Sequence, residues 1–135
     1  MNNIKVLTVG VFDLLHFGHV RLFKRCKECG DYLIVAVQDS NWILKYKPQS
    51  RIVYTTEQRV EMVSALRVVD EVILYRDVDD IVKNVEFDVF CRGEDQSHAG
   101  FMAASEWCLA NGKRVVVLPR TPGVSSSALK KERAP

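Results

Sequence analysis

Val9-Gly10-Val11-Phe12-Asp13-Leu14-Leu15-His16-Phe17-Gly18-His19 reads as the end of a buried strand running into the first turn of a helix. Two histidines flank one glycine at that turn. Their i, i+3 spacing predicts imidazoles pointing the same way on a helical surface. A helix N-terminus attracts anions through its free N–H groups and the macrodipole. Gly18 has no side chain, so a phosphate can approach the backbone there. Together these features point to chemistry at phosphorus. The plainer alternative is a histidine pair that only caps a helix.

Outward from this stretch, strand and helix patterns alternate along the chain. Strands are expected at Ile4–Gly10, Tyr32–Val37, Glu71–Tyr75, Phe87–Cys91 and Arg114–Leu118. Helices are expected at His19–Cys29, with Gly30 as a stop, and from Thr55 to about Arg67, opened by a Thr55/Gln58 capping box. Further helices are expected at Val78–Val85, Ser97–Ala110 and Ser125–Arg133. A polar, basic loop fills Gln38 to about Tyr54. Continuous apolar runs such as Tyr32–Val37 suit strands buried on both faces of a parallel sheet. The alternation implies an α/β fold, a single Rossmann-like doubly wound domain over residues 1–135 with a five-stranded parallel sheet. Ligands of such folds bind beyond the carboxyl ends of the strands, near the switch in strand order.

The chain has 135 residues, enough for a sizeable core without disulfides. Charged residues make up 27% and the formal net charge is +2, so no chain-wide polyanion footprint is present and nucleic acid is not an expected partner. No apolar run reaches membrane-spanning length. The N-terminus has no secretory pattern, and a cytoplasmic location is the expectation. Cys26 and Cys29 form a C-x-x-C pair, but Cys91 and Cys108 lack the spacing of a second metal-ligand pair. Two positions on an amphipathic helix are therefore expected, and free thiols fit a reducing compartment.

Four groups fall at loops after strands. One is the Asp13/His16/His19 turn. The second is the loop with Asp39, Lys45 and Lys47, followed by Arg59 and Arg67 on a helix. The third is Arg92-Gly93-Glu94-Asp95. The fourth is Pro119-Arg120-Thr121-Pro122-Gly123-Val124-Ser125-Ser126-Ser127, where hydroxyls and N–H groups beside a guanidinium could cradle a polyphosphate. Taken singly, each has a bland reading: loop lysines in solvent, a surface Arg67–Glu71 pair, a serine cap, an ordinary turn aspartate. Their joint placement at one sheet edge favours a phosphate-rich site.

The segment from Gly10 to His19 fits G-x-F-D-x-x-H-x-G-H, and Arg120 to Ser127 fits R-T-x-G-h-S-[ST]-[ST]. With these two motifs the chain resembles the cytidylyltransferases, most closely those acting on glycerol 3-phosphate. Gly30-Asp31-Tyr32-Leu33, Glu57-Gln58-Arg59 and Arg67-Val68-Val69-Asp70-Glu71-Val72 extend the similarity over nearly the whole chain. The resemblance implies CMP transfer from CTP to a small phosphomonoester, glycerol 3-phosphate giving CDP-glycerol, with Mg²⁺ carried by the substrate and a homodimeric assembly. His16, His19, Lys45 and Arg120 would be catalytic. Val9, Gly10, Val11, Phe12, Asp13, Gly18, Arg67, Asp95, Thr121, Ser125 and Ser126 would line the nucleotide. Asp39, Lys47 and Arg59 would face the acceptor. Direct metal ligands are not implied, beyond Asp13 as a carboxylate that would support the turn or the metal. Val11 stands where the cytidylyltransferases acting on glycerol 3-phosphate often carry Thr, and the loop between Asp39 and Arg59 is longer than theirs. Other readings are an adenylyltransferase acting on a sugar phosphate or FMN, a CTP-dependent enzyme for phosphocholine or phosphoethanolamine with Trp42, Tyr46 and Tyr54 near the amine, and a non-catalytic nucleotide-binding regulatory module. Trp107 is expected to pack rather than bind ligand.

Overall fold

Strand β1 (Lys5–Gly10) is buried along most of its length and occupies the middle of the sheet. The computed structural model describes residues 3–121. After β1 come α1 (Phe17–Glu28), β2 (Tyr32–Gln38), α2 (Ser40–Tyr46), α3 (Thr56–Ser64) and β3 (Glu71–Tyr75). The remainder is α4 (Val78–Asn84), β4 (Val89–Gly93), α5 (Ala99–Ala110) and β5 (Arg114–Leu118). All strand pairs are parallel, in the order β3-β2-β1-β4-β5. This is the doubly wound α/β fold implied by the alternation. The helix expected at Ser125–Arg133 lies outside the described residues.

Side-chain alternation along the strands divides the core in two. Leu7, Val9, Ile34 and Ala36 pack on one face against Val78 and Val82 of α4 and Phe101 of α5. Val6, Leu33, Val35 and Val89 pack on the other against Phe23 and Cys26 of α1 and Val63 of α3. Trp107 packs half-buried against the first cluster, as expected. Cys26 sits in the core and Cys29 at the C-cap of α1, and both are free thiols.

The crevice follows from the strand order. β1 and β4 pair only at Val6↔Val89 and Leu7↔Phe90, although both strands continue beyond. Gln96 fills the gap. Its Nε2 donates to Val9 O at 2.8 Å and its Oε1 accepts from Gly93 N at 3.0 Å. A single side chain thus satisfies both diverging strand ends at the point where ligands of this architecture bind.

Three sequence expectations need correction. The stretch read as a loop contains α2, because the Asp39 carboxylate accepts from Asn41 N at 3.0 Å and caps a helix there. α3 does end early: its capping box forms as read, but it stops at Ser64, and Arg67 falls in the return connection at the amino edge of the sheet. Exposed there, Arg67 is at the opposite end from the crevice. Arg59, expected to face an acceptor, is 0% exposed. Its guanidinium donates to Val11 O at 2.8 Å, Ser40 Oγ at 2.6 Å and Tyr54 O at 3.3 Å. It ties the β1 exit, α2 and the entry to α3 into one unit.

Burial pushes the Arg59 guanidinium below its ordinary pKa, and the charges of Asp13 and Asp39 oppose that shift. Arg59→Ala leaves buried acceptors and the Asp13 charge uncompensated. It should lower unfolding free energy by about 3–5 kcal/mol. Urea denaturation is the measurement, and a loss under about 1 kcal/mol would show that Arg59 is not the tie described.

Candidate active site

The turn after β1 is strained and over-determined. Phe12 and Leu14 hold φ of 55° and 51°, a left-handed conformation that non-glycine residues rarely adopt. Three contacts hold it. The Phe12 ring packs edge-on against His19 and Phe23, at centroid distances of 5.5 and 4.9 Å. The carbonyl of Val11 accepts from Arg59. Asp13 is 2% exposed, and its two oxygens accept from Val53 N at 2.6 Å and Tyr54 N at 3.0 Å. Asp13 therefore supports the turn, the first of the two roles expected for it.

The histidines are not two residues on one helical face. His16 is the N-cap of α1, in an extended conformation, and His19 is the third helical residue. They form a capping box made of imidazoles. His16 Nδ1 accepts from Gly18 N at 3.0 Å, and His19 Nδ1 accepts from His16 N at 3.2 Å. The rings stack at 3.9 Å between centroids and 21° between planes. An acceptor Nδ1 fixes the tautomer: each neutral ring carries its proton on Nε2, as a donor. The plain reading of the pair as caps is correct, and capping is what aims the donors. Gly18 makes room for this, since a Cβ there would lie 2.8 Å from His16 Cε1.

Both rings are neutral at pH 7. Burial lowers the His19 pKa to about 4, with His16 adding to the shift. Burial and then the Arg120 charge lower His16. The first turn of α1 contains no acidic residue, so its own side chains leave the positive end of the helix dipole uncompensated.

A cleft of about 910 Å³ opens at the carboxyl edge of the sheet. Gly10, Val11, Phe12, Asp13, His16, Gly18 and His19 line it from the first crossover. Arg120 and Thr121 line it from the β5 exit. Thr121 Cβ lies 3.7 Å from where a Gly18 Cβ would stand, so the first crossover meets the β5 exit. Glu94 joins the β4 and β5 exits: its N–H donates to Leu118 O and its carboxylate accepts from Arg120 N. Asp95 lines the cleft beside Gly93, where a Cβ would meet Asp95 Oδ1 at 2.8 Å.

Other expected residues stand elsewhere. Val9 is buried beneath the floor, with its carbonyl held by Gln96. Asp39 is the cap of α2, and Arg59 and Arg67 do not line the cleft. Of the two lysines, Lys47 at the C-cap of α2 lines the cleft, whereas Lys45 lies over the Trp42 ring at 5.0 Å. Ser125 and Ser126 are outside the described residues. Sequence reasoning missed Arg51, Asp77, Gln96 and His98, all of which line the cleft. His98 had a readable signal: His98-Ala99-Gly100 repeats His16-Phe17-Gly18, and His98 Nδ1 caps α5 through Gly100 N at 3.1 Å. Among the described residues no three His, Cys, Asp or Glu side chains converge as a metal-binding group.

The depressed His19 pKa makes stability depend on pH. Its folded value lies below the unfolded 6.5, so below pH 6.5 the unfolded chain binds the proton first. The stabilisation is complete above pH 6.5 and is lost as pH falls towards 4, by about 3 kcal/mol. His19→Gln keeps an acceptor at the third helical position without titrating there. Its unfolding free energy, measured by denaturant titration from pH 7 to 4.5, should fall less steeply than that of the wild type. Equal slopes would refute the assignment.

The chain is 37% identical over 134 residues to the glycerol-3-phosphate cytidylyltransferase of Bacillus subtilis (strain 168), covering 96% of this chain and 97% of that one. It is 36% identical over 132 residues to the protein of that name from Staphylococcus aureus (strain NCTC 8325 / PS 47), covering 95% and 93%. A crystal structure of the lipopolysaccharide core biosynthesis protein from Thermoplasma volcanium GSS1 superposes with a TM-score of 0.72 at 28% identity, over 89% of this chain and 98% of that one. Residues 7–132 match the family model described as cytidylyltransferase-like. With this match running from β1 past Arg120, the chain belongs to the cytidylyltransferase-like family.

Proposed function

We propose that this protein transfers CMP from CTP to glycerol 3-phosphate, forming CDP-glycerol and releasing pyrophosphate. The observation that carries the reading is the imidazole capping box: two neutral rings with fixed Nε2–H donors at an uncompensated helix N-terminus, in one cleft with Arg120. The names of the relatives at 36–37% identity supply the nucleotide and the acceptor.

The chemistry needs little else. A phosphate oxygen of the acceptor attacks the α-phosphorus of CTP in line. The new P–O bond forms as the bond to the β-phosphate bridging oxygen breaks, and its electron pair leaves on pyrophosphate. The nucleophile is already an anion, so no base is required. The barrier lies in bringing two polyanions together and in charge on the non-bridging oxygens, which preorganised donors stabilise. In this reading His16 and His19 donate to the α-phosphate oxygens without proton transfer. Arg120 and Thr121 hold the outer phosphates, and Lys47 takes the shared charge between acceptor and α-phosphate. Asp95 stands on the nucleotide side. Mg²⁺ would be held mainly by the triphosphate and would offset its charge, because both Asp13 oxygens already accept backbone amides.

Two further parts of the proposal are a homodimer, which the resemblance implies, and a cytoplasmic location. The four free cysteines suit the second. Among the described residues no helix is long and apolar enough to cross a membrane.

His16→Ala and His19→Ala should each lower kcat roughly 10²–10³-fold, the loss that follows removal of one preorganised donor. Lys47→Ala should cost more activity than Lys45→Ala. Pyrophosphate release with CTP, Mg²⁺ and glycerol 3-phosphate reads all four. Near-normal turnover in either histidine variant would remove the imidazoles from the mechanism, and no release by the wild type with this pair would refute the proposed reaction.

A further inference from the structure

The cleft has a second end whose side chains the phosphate chemistry leaves unused. It lies over β2 and β3, across β1 from the Arg120 side. Trp42 of α2 and Asp77, between β3 and α4, both line it. Asp77 occupies the N-cap position of α4, where aspartate is among the favoured residues, yet its side chain makes no cap hydrogen bond. Its Oδ1 instead accepts from Trp42 Nε1 at 3.1 Å, joining residues 35 apart in sequence. An exposed carboxylate that forgoes the local bond and is held over a cleft by an indole is placed for a ligand rather than for its helix.

The surrounding charge narrows what that ligand can be. Lys45 Nζ lies 5.0 Å and the Arg76 guanidinium 5.6 Å from the Trp42 ring centroid. Two cations therefore stand on the ring, which opposes its use as a cage for an ammonium group. A carboxylate oxygen still accepts hydrogen bonds from neutral hydroxyls and repels a phosphate. Lys47, the C-cap of the same short helix, follows Trp42 by five residues, and the four helical residues past Trp42 alone advance the chain about 6 Å along the axis.

We propose that Asp77, positioned by Trp42, reads the hydroxyl groups of the acceptor, and so makes the acceptor a polyol phosphate rather than an amino-alcohol phosphate. This rests on the transfer reaction proposed above. The acceptor lies with its phosphate at Lys47 and its hydroxyls at Asp77, and the carboxylate disfavours the reversed pose. Trp42 is a positioning residue and acts only through Asp77.

The test is steady-state pyrophosphate release with three acceptors: glycerol 3-phosphate, n-propyl phosphate, which lacks both hydroxyls, and phosphoethanolamine. The wild type should prefer glycerol 3-phosphate over each of the others at least 10-fold in kcat/KM, since a site built to bind a hydroxyl rejects the analogue without it. Asp77→Ala should raise KM for glycerol 3-phosphate about 10-fold or more. It should leave the KM for CTP and for n-propyl phosphate within about twofold, so that the preference collapses. Trp42→Phe, which keeps the ring and removes the N–H, should raise the same KM less, with kcat unchanged. An unchanged KM for glycerol 3-phosphate in Asp77→Ala would overturn the assignment, as would an equal rise for both phosphate esters or a wild-type preference for phosphoethanolamine. The first two outcomes leave the transfer reaction standing, and the third leaves CMP transfer standing but not glycerol 3-phosphate as its acceptor. Wild-type enzyme that releases no pyrophosphate with glycerol 3-phosphate would overturn the reaction and this assignment together.

Discussion

The site depends on the buried opposition of Asp13 and Arg59. A carboxylate at 2% exposure and a guanidinium at 0% sit beneath one turn, and they bond to the backbone and the Ser40 hydroxyl of the segments around them. Replacing such a pair by apolar groups often leaves a protein as stable or more so, so strength is a poor explanation for it. Placement is a better one. The turn contains two non-glycine residues in the left-handed region, each costing about 1–3 kcal/mol, and such a conformation persists only when its surroundings leave no alternative. Asp13 fixes it to the α2–α3 connection, Arg59 fixes it to α2 and α3, and Phe12 wedges it against α1.

From that fixed turn the rest follows by short steps. The chain leaves β1 at a set angle, His16 takes the cap position, and its ring stacks on His19. Because both Nδ1 atoms accept amides, neither ring can turn its donor away without losing a helix bond. Burial keeps both rings uncharged, which removes the repulsion that two stacked imidazolium ions would suffer. The sheet order brings the β5 exit alongside, and Glu94 and Gln96 tie the strand ends that would otherwise splay. The donor array is thus in place before a substrate arrives, so little reorganisation is needed when charge develops.

The fold was legible because periodicity and punctuation agreed. Apolar runs marked β2 and β5, Thr55 and Gln58 marked the start of α3, and Gly30 marked the end of α1. The two ends of the phosphate site were legible as well, since parallel strands put every strand exit on one edge. What could not be read was which polar residues turn inward. Arg59 has the residue type of a ligand-binding group, but its burial depends on Val11, Ser40 and Tyr54, none of which is near it on its own helix face. Asp39 and Lys45 misled in the same way, because a cap and a cation–π contact absorb polar groups as readily as a substrate does. Arg67 was misplaced because the resemblance set it beside the nucleotide, whereas the C-terminal end of a crossover helix lies at the amino edge of a parallel sheet. Asp77 and Gln96 offered no signal, since their partners lie in distant segments.

The dual duty of His16 and His19 separates ancestry from activity. A descendant that abandoned turnover would still gain from both imidazoles, because they close the first turn of α1 and keep its opening amides satisfied. Their presence alone in a distant cousin therefore attests to an intact scaffold as much as to a working enzyme. Decay would register first at groups with less architectural work, such as the Lys47 ammonium and the side chain of Arg120. A comparison meant to separate living enzymes from relics should weigh those positions above the histidines.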